Sequence, residues 1–133
     1  MSGDETLLDI AKRNFVTAET MMKLVEADDG YLNVVGYHAE QAIELAIKHY
    51  LETHGIKYPM THDISQLTAR IPDEAMEPFE DIENSAANIT NMEAKTRYIK
   101  NYRLSRRIVE KALHQAEGII KWLANESAGD KDK

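Results

Sequence analysis

The chain has 133 residues, 43% of them apolar, with only three prolines and six glycines. That is the length and composition of one domain with its own core, and it excludes collagen-like, linker-like and largely disordered classes. A net charge of −7 excludes a globally basic nucleic-acid binder, no apolar run approaches the roughly 18–20 residues of a membrane span, and the absence of cysteine excludes disulfides, thiolate metal sites and cysteine nucleophiles. The acidic, polar start over residues 1–5 lacks the pattern of a secretory signal, which points to a cytoplasmic protein.

Apolar residues recur at three- and four-residue steps, the period of one helix face. Leu8, Ala11, Phe15, Ala18, Met22 and Val25 predict a first helix over about 4–27, ended by Asp28-Asp29-Gly30. A second helix, over about 31–54, is apolar over a wider arc: Val35, Ala39, Ala42 and Ala46, extended by Ile43, Ile47, Tyr50 and Leu51. Its polar face is the narrow row Glu40, Glu44, Lys48 and Glu52, with Glu44 and Lys48 ordered for an i,i+4 ion pair. So narrow a row predicts a helix buried around most of its circumference, with Gly55 just past its end as a left-handed cap.

Pro59 forces Tyr58 into an extended conformation, so 56–60 is predicted to be a loop. A short third helix starts at His62 or Asp63, capped by Thr61 or Asp63, turns Ile64, Leu67 and Ile71 inward and stops at Pro72. Pro78 suits the first turn of a fourth helix whose inner face is Phe79, Ile82, Ala86, Ile89 and Met92. Residues 94–103 are dominated by Lys, Arg, Tyr and Asn and show no clear face. The last helix, over about 103–125, is predicted to turn Leu104, Ile108, Ala112, Ala116, Ile119 and Leu123 inward, with Trp122 half-buried. Residues 126–133 offer nothing to pack and are expected to form a flexible C-terminal tail. Four long helices, one short one, no strand candidate and short connections predict an all-α domain over 1–125. The expected form is an antiparallel up-and-down four-helix bundle with a short additional helix.

The charge is unevenly spread. Residues 73–93 hold seven acids and no Lys or Arg, whereas 95–111 hold Lys95, Arg97, Lys100, Arg103, Arg106, Arg107 and Lys111 against Glu110 alone. Guanidinium groups pair bidentately with phosphate and phenol rings stack on bases. Arg97, Lys100, Arg103, Arg106 and Arg107, interleaved with Tyr98 and Tyr102, are therefore the candidate nucleotide- or RNA-binding set. The alternative is that this cationic run answers the acidic 73–93 segment, within the chain or across a dimer.

One stretch is more specific than composition: Tyr37-His38-Ala39-Glu40-Gln41-Ala42-Ile43-Glu44-Leu45-Ala46-Ile47-Lys48, followed by Gly55-Ile56, Pro59 and Thr61-His62-Asp63-Ile64. With Arg97-Tyr98 ahead of the last helix, it resembles the signature region of HEPN domains, and the resemblance extends over about 8–124. It implies an antiparallel helical bundle that forms homodimers, often partnered by a minimal nucleotidyltransferase in a toxin–antitoxin-like pair. It also implies either a metal-independent ribonuclease, with an Arg-x(4–6)-His motif near the start of the last helix, or a relative that binds RNA or nucleotide without cutting. By analogy with such relatives, Tyr98 or Tyr102 is a candidate acceptor for nucleotide transfer by the partner.

The motif is broken here. Counting from Arg97, the allowed histidine positions hold Tyr102, Arg103 and Leu104, and a phenol, with a pKa near ~10, is a poor general base at neutral pH. A literal match recurs at Arg107-x6-His114, nearly two turns apart on a face shared with Arg103, Glu110, Glu117 and Lys121. It reads either as a displaced active site, with His114 as base and Arg107 on the scissile phosphate, or as a solvated stripe of alternating charge. A purely structural adaptor is the third reading. His38, Gln41 and Glu44, one turn apart on the second helix, are cleft candidates or partly buried polar residues satisfied by neighbours. The five histidines show no metal-ligand spacing and there is no glycine-rich phosphate loop, so no metal or cofactor is expected.

Overall fold

The computed structural model describes residues 4–98 and 100–131, and within them the side chains other than those of 93–94, 96–98 and 127–131. The described residues form six α-helices: α1 (Leu7–Met22), α2 (Tyr31–Thr53), α3 (Ile64–Thr68), α4 (Glu80–Asn84), α5 (Ala86–Tyr98) and α6 (Arg106–Lys131). Two 3-10 turns, Asp73–Ala75 and Glu77–Phe79, lead into α4. The all-helical expectation holds, with no strand among the described residues.

The helix ends are set by local chemistry. Thr6 and Asp9 form a capping box at the start of α1, each side chain accepting from the other's backbone N–H. At the end of α2, Gly55 takes φ +69°, the Gly55 N–H reaches the Glu52 carbonyl and the Ile56 N–H reaches that of Leu51 at 2.8 Å. This is the Schellman arrangement, which only glycine enters without strain. Asp63 caps α3 by accepting from the Ser65 N–H, and Thr90 of α5 holds the Ile64 N–H at 3.0 Å, joining α3 to α5.

α2 is the hub. It packs against α1, α3, α5 and α6, and Val35, Ala39, Ala42, Ile43, Ala46, Ile47 and Leu51 are fully buried on it. Each fully buried branched side chain contributes about 1.5–3 kcal/mol of transfer free energy. Asn14 meets His38 and Asp9 neighbours His49, so α1 and α2 run antiparallel. α2 and α6 run parallel, since Asn33 meets Leu104 at one end and Tyr50 meets Trp122 at the other. Gln115 of α6 reaches Asp81 and Ser85, while Met92 and Ile108 flank a common groove, so α5 runs against α6.

Four expectations are corrected. Glu40 and Glu44, read as part of the narrow polar face of the second helix, are buried at 0% and 2% exposure, because α3 and α5 pack on α2, while Glu52 stays exposed. The expected single fourth helix is broken at Ser85, which leaves the α-region near φ −105°, ψ 6°; its inner face, Phe79 to Met92, is buried as predicted. α6 starts at Arg106, not 103, so Val109 takes the inward position and Ile108 is 45% exposed. At its far end α6 continues to Lys131, past the expected end near 125, and residues 132–133 of the expected tail lie outside the described residues.

Candidate nucleic-acid interface

The connection from α5 to α6 is held to the body by Asn33. Its amide donates to the Tyr102 carbonyl at 2.8 Å and its carbonyl oxygen accepts the Leu104 N–H at 3.0 Å. Leu104, 3% exposed, fills the space left open by Gly36, where an added Cβ would come within 2.4 Å of the Leu104 Cδ1. Asn101 takes φ 65°, a left-handed conformation that asparagine tolerates better than most residues, and this turns the chain. Tyr102 is thus a half-buried ring on a fixed backbone, with the Lys95 ammonium 5.8 Å from its centroid.

Beside this ring, a groove of about 100 Å³ runs between α5 and α6, lined by Asn88, Asn91, Lys95, Tyr102 and Ile108 over a floor of Met92 and Leu104. It continues past Ile108 into a smaller recess of about 50 Å³, which Lys111 and Gln115 border. The lining therefore combines one aromatic face, one exposed aliphatic side chain, three amides and two ammonium groups. An aromatic face stacks on any base, amides offer donors and acceptors to base edges, and ammonium groups meet phosphate.

The cations beside it are not equivalent. Arg103 pairs with Asp29 at 3.2 Å, and Arg106 pairs with Glu26 at 3.1 Å and Glu110 at 3.3 Å. The hydrogen bonds that Arg106 donates to Glu110 and to Glu26 raise its pKa further, so it stays charged. Among the described residues, the acids that Arg103 and Arg106 meet are Asp29 and Glu26 of the α1–α2 connection and Glu110 of α6 itself. Lys100, Arg107 and Lys111 are exposed and carry no ion pair among the described residues.

Of the residues picked from the sequence, Tyr102 lines the groove, Arg107 lies exposed on the first turn of α6, and Arg103 and Arg106 are committed to acids. Arg97 and Tyr98 close α5, but their side chains lie outside the described residues. His114 is exposed on α6, about 10 Å along the axis from Arg107 at about 1.5 Å per residue, and lines neither part of the groove. Sequence reasoning missed Asn88, Asn91 and Ile108 as lining residues. The signal was the three- and four-residue spacing of Asn88, Asn91 and Lys95, a polar row beside buried Ile89 and Met92.

His38, Gln41 and Glu44 do not line the groove. The His38 Nδ1 faces the Asn14 Oδ1 at 2.9 Å, and since the Asn14 amide donates to the Ile10 carbonyl, the imidazole N–H donates. Burial pushes the His38 pKa below the usual imidazole range. Gln41 is half-buried. Glu44 accepts from Lys48 at 2.9 Å, the ion pair expected from spacing, and from the His62 Nδ1 at 3.0 Å. No group of three or more acids and histidines among the described residues is placed to hold a metal ion, and no helix is long and apolar enough to cross a membrane.

Comparison with curated proteins and with solved structures returns no match. The sequence model of the HEPN domain does match, over residues 5–127, and the chain belongs to the HEPN family.

Proposed function

We propose that this HEPN domain binds RNA or a nucleotide in the α5–α6 groove, without cutting it efficiently, and does so as a cytoplasmic homodimer partnered by a minimal nucleotidyltransferase. The observation that carries the reading is the Tyr102 ring beside Lys95 and the Asn88 and Asn91 amides, on a backbone pinned by Asn33. The base stacks on Tyr102, and the phosphates meet Lys95, Lys100, Arg107 and Lys111. The test is titration of a labelled single-stranded RNA and of a mononucleotide. Tyr102→Ala should weaken binding about tenfold or more, the value of one lost stacking contact. Binding unchanged in Tyr102→Ala would remove the groove as the site, and binding absent even at low salt would leave the adaptor reading.

A second reading has its own observation: Arg107 and His114 both face solvent on α6. As a metal-independent endoribonuclease, the protein would set Arg107 on the phosphate and use His114 as base. Cleavage in EDTA that is lost in His114→Ala supports this reading, and full cleavage by that variant excludes it. The expected outcome is no cleavage, because Tyr102 stands where the family's histidine is required.

A further inference from the structure

A roomier cleft lies elsewhere, between the start of α1, the C-terminal half of α2 and residues 58–62. At about 370 Å³ it is of the size that small-molecule sites occupy, and it shares no lining residue with the α5–α6 groove. Its walls are apolar: Leu7 and Leu45 are half-buried, Tyr58 presents its ring, and Met60 stands fully in solvent at the rim.

The polar groups around it are mostly engaged. Glu44, buried just beside the cavity, takes the Lys48 ammonium at 2.9 Å and the His62 Nδ1 at 3.0 Å. The Thr61 hydroxyl accepts the Asp63 N–H at 3.0 Å. The acceptor left with capacity is the exposed Glu52 carboxylate, which accepts one hydrogen bond, from the Tyr58 hydroxyl at 3.1 Å. A carboxylate has about four acceptor positions, so most of that capacity is open to a ligand. Two carboxylates, Glu44 and Glu52, stand here against the one ammonium of Lys48.

We propose that this cleft binds a small organic cation, an amine with an apolar or aromatic body. The ammonium donates to Glu52 beside the Tyr58 ring, which adds a cation–π contribution, and the body covers Leu7, Leu45 and Met60. An anion of the same shape meets Glu52 repulsively, while Lys48, the nearest cation, is already neutralised by Glu44. The cleft thus selects by charge sign as well as by shape.

The experiment is an NMR titration of the isotopically labelled full chain near neutral pH, with phenethylamine and its charge-reversed counterpart 3-phenylpropionate. The amine should shift the amide resonances of Tyr58, Thr61 and His62 saturably, and the carboxylate should bind at least about tenfold more weakly, the value of one charge-assisted hydrogen bond. Glu52→Gln, an exposed substitution that leaves the core untouched, should weaken amine binding by a similar factor. Equal or tighter binding of the carboxylate, no saturable shift with the amine, or undiminished amine binding by Glu52→Gln each overturns the proposal.

Discussion

At the scale of single residues, two histidines couple stability to pH. Burial lowers the pKa of His38 and of His49, in the latter against the opposing charges of Glu52, Asp9 and Glu126. Unfolded imidazoles take up a proton near about 6.5, while the folded ones resist until lower pH, so in that interval the unfolded chain binds more protons. Stability is therefore full above the unfolded value and falls as pH drops below it. Urea midpoints at about pH 5 and about pH 7.5 should differ in that sense, and His49→Gln should reduce the difference. Asn33 carries a different load: Asn33→Ala removes both ties to the 102–104 backbone and should cost about 1–2 kcal/mol by urea denaturation while weakening RNA binding. Gly36→Ala should cost about 1–3 kcal/mol, since the new methyl displaces Leu104 within a packed core.

At the scale of elements, the caps act alone and give small, separable effects. Gly55→Ala forces a side chain into a left-handed conformation at the end of α2 and should cost about 1 kcal/mol, read as a shift in thermal midpoint. Glu44→Ala strands the Lys48 ammonium beside the core and should cost about 1–3 kcal/mol, moderated because Lys48 still reaches water. The element boundaries also show what the sequence could convey. The apolar rows of α1, α2 and α4–α5 were legible because they depend on helix period alone, and the Asp63 and Gly55 ends because they depend on local backbone chemistry. The start of α6 was not legible. Leu104 reads as a helical core position, yet it is buried from an irregular connection fixed by Asn33, seventy-one residues earlier. Along α6 itself the expected Ala112, Ala116, Ile119 and Leu123 are buried, and only Ile108 turns outward, to become part of the groove, with Val109 buried in its stead. Glu40 and Glu44 were misread for a similar reason, since periodicity marks which residues share a face but not whether a distant helix covers it.

At the scale of the whole molecule, an acidic protein sets four cations, Lys95, Lys100, Arg107 and Lys111, on α5, on α6 and on the connection between them. The tyrosine and the basic run were visible in sequence as a binding candidate, but which cations remain available was not, because Glu26 and Asp29 neutralise Arg106 and Arg103 from a connection far earlier in the chain. If Lys95, Lys100, Arg107 and Lys111 contact four phosphates, single-strand binding should lose about fiftyfold between about 50 and 200 mM salt, measured by fluorescence anisotropy. Arg107→Ala should flatten that dependence, whereas Arg103→Ala should leave it nearly unchanged. Light scattering at tens of micromolar is expected to give twice the chain mass. The end of the molecule away from Tyr102 matters to all these measurements. There Trp122, the sole tryptophan, packs 5.7 Å from Phe79 and 6.0 Å from Tyr50, about 24 Å along α6 from its first residue at about 1.5 Å per residue. The molecule therefore carries its own fluorophore, sensitive to whether α2 and α6 remain packed and remote from the groove. A variant that loses RNA with unchanged emission has lost the site, and one whose emission shifts to the red has lost the fold.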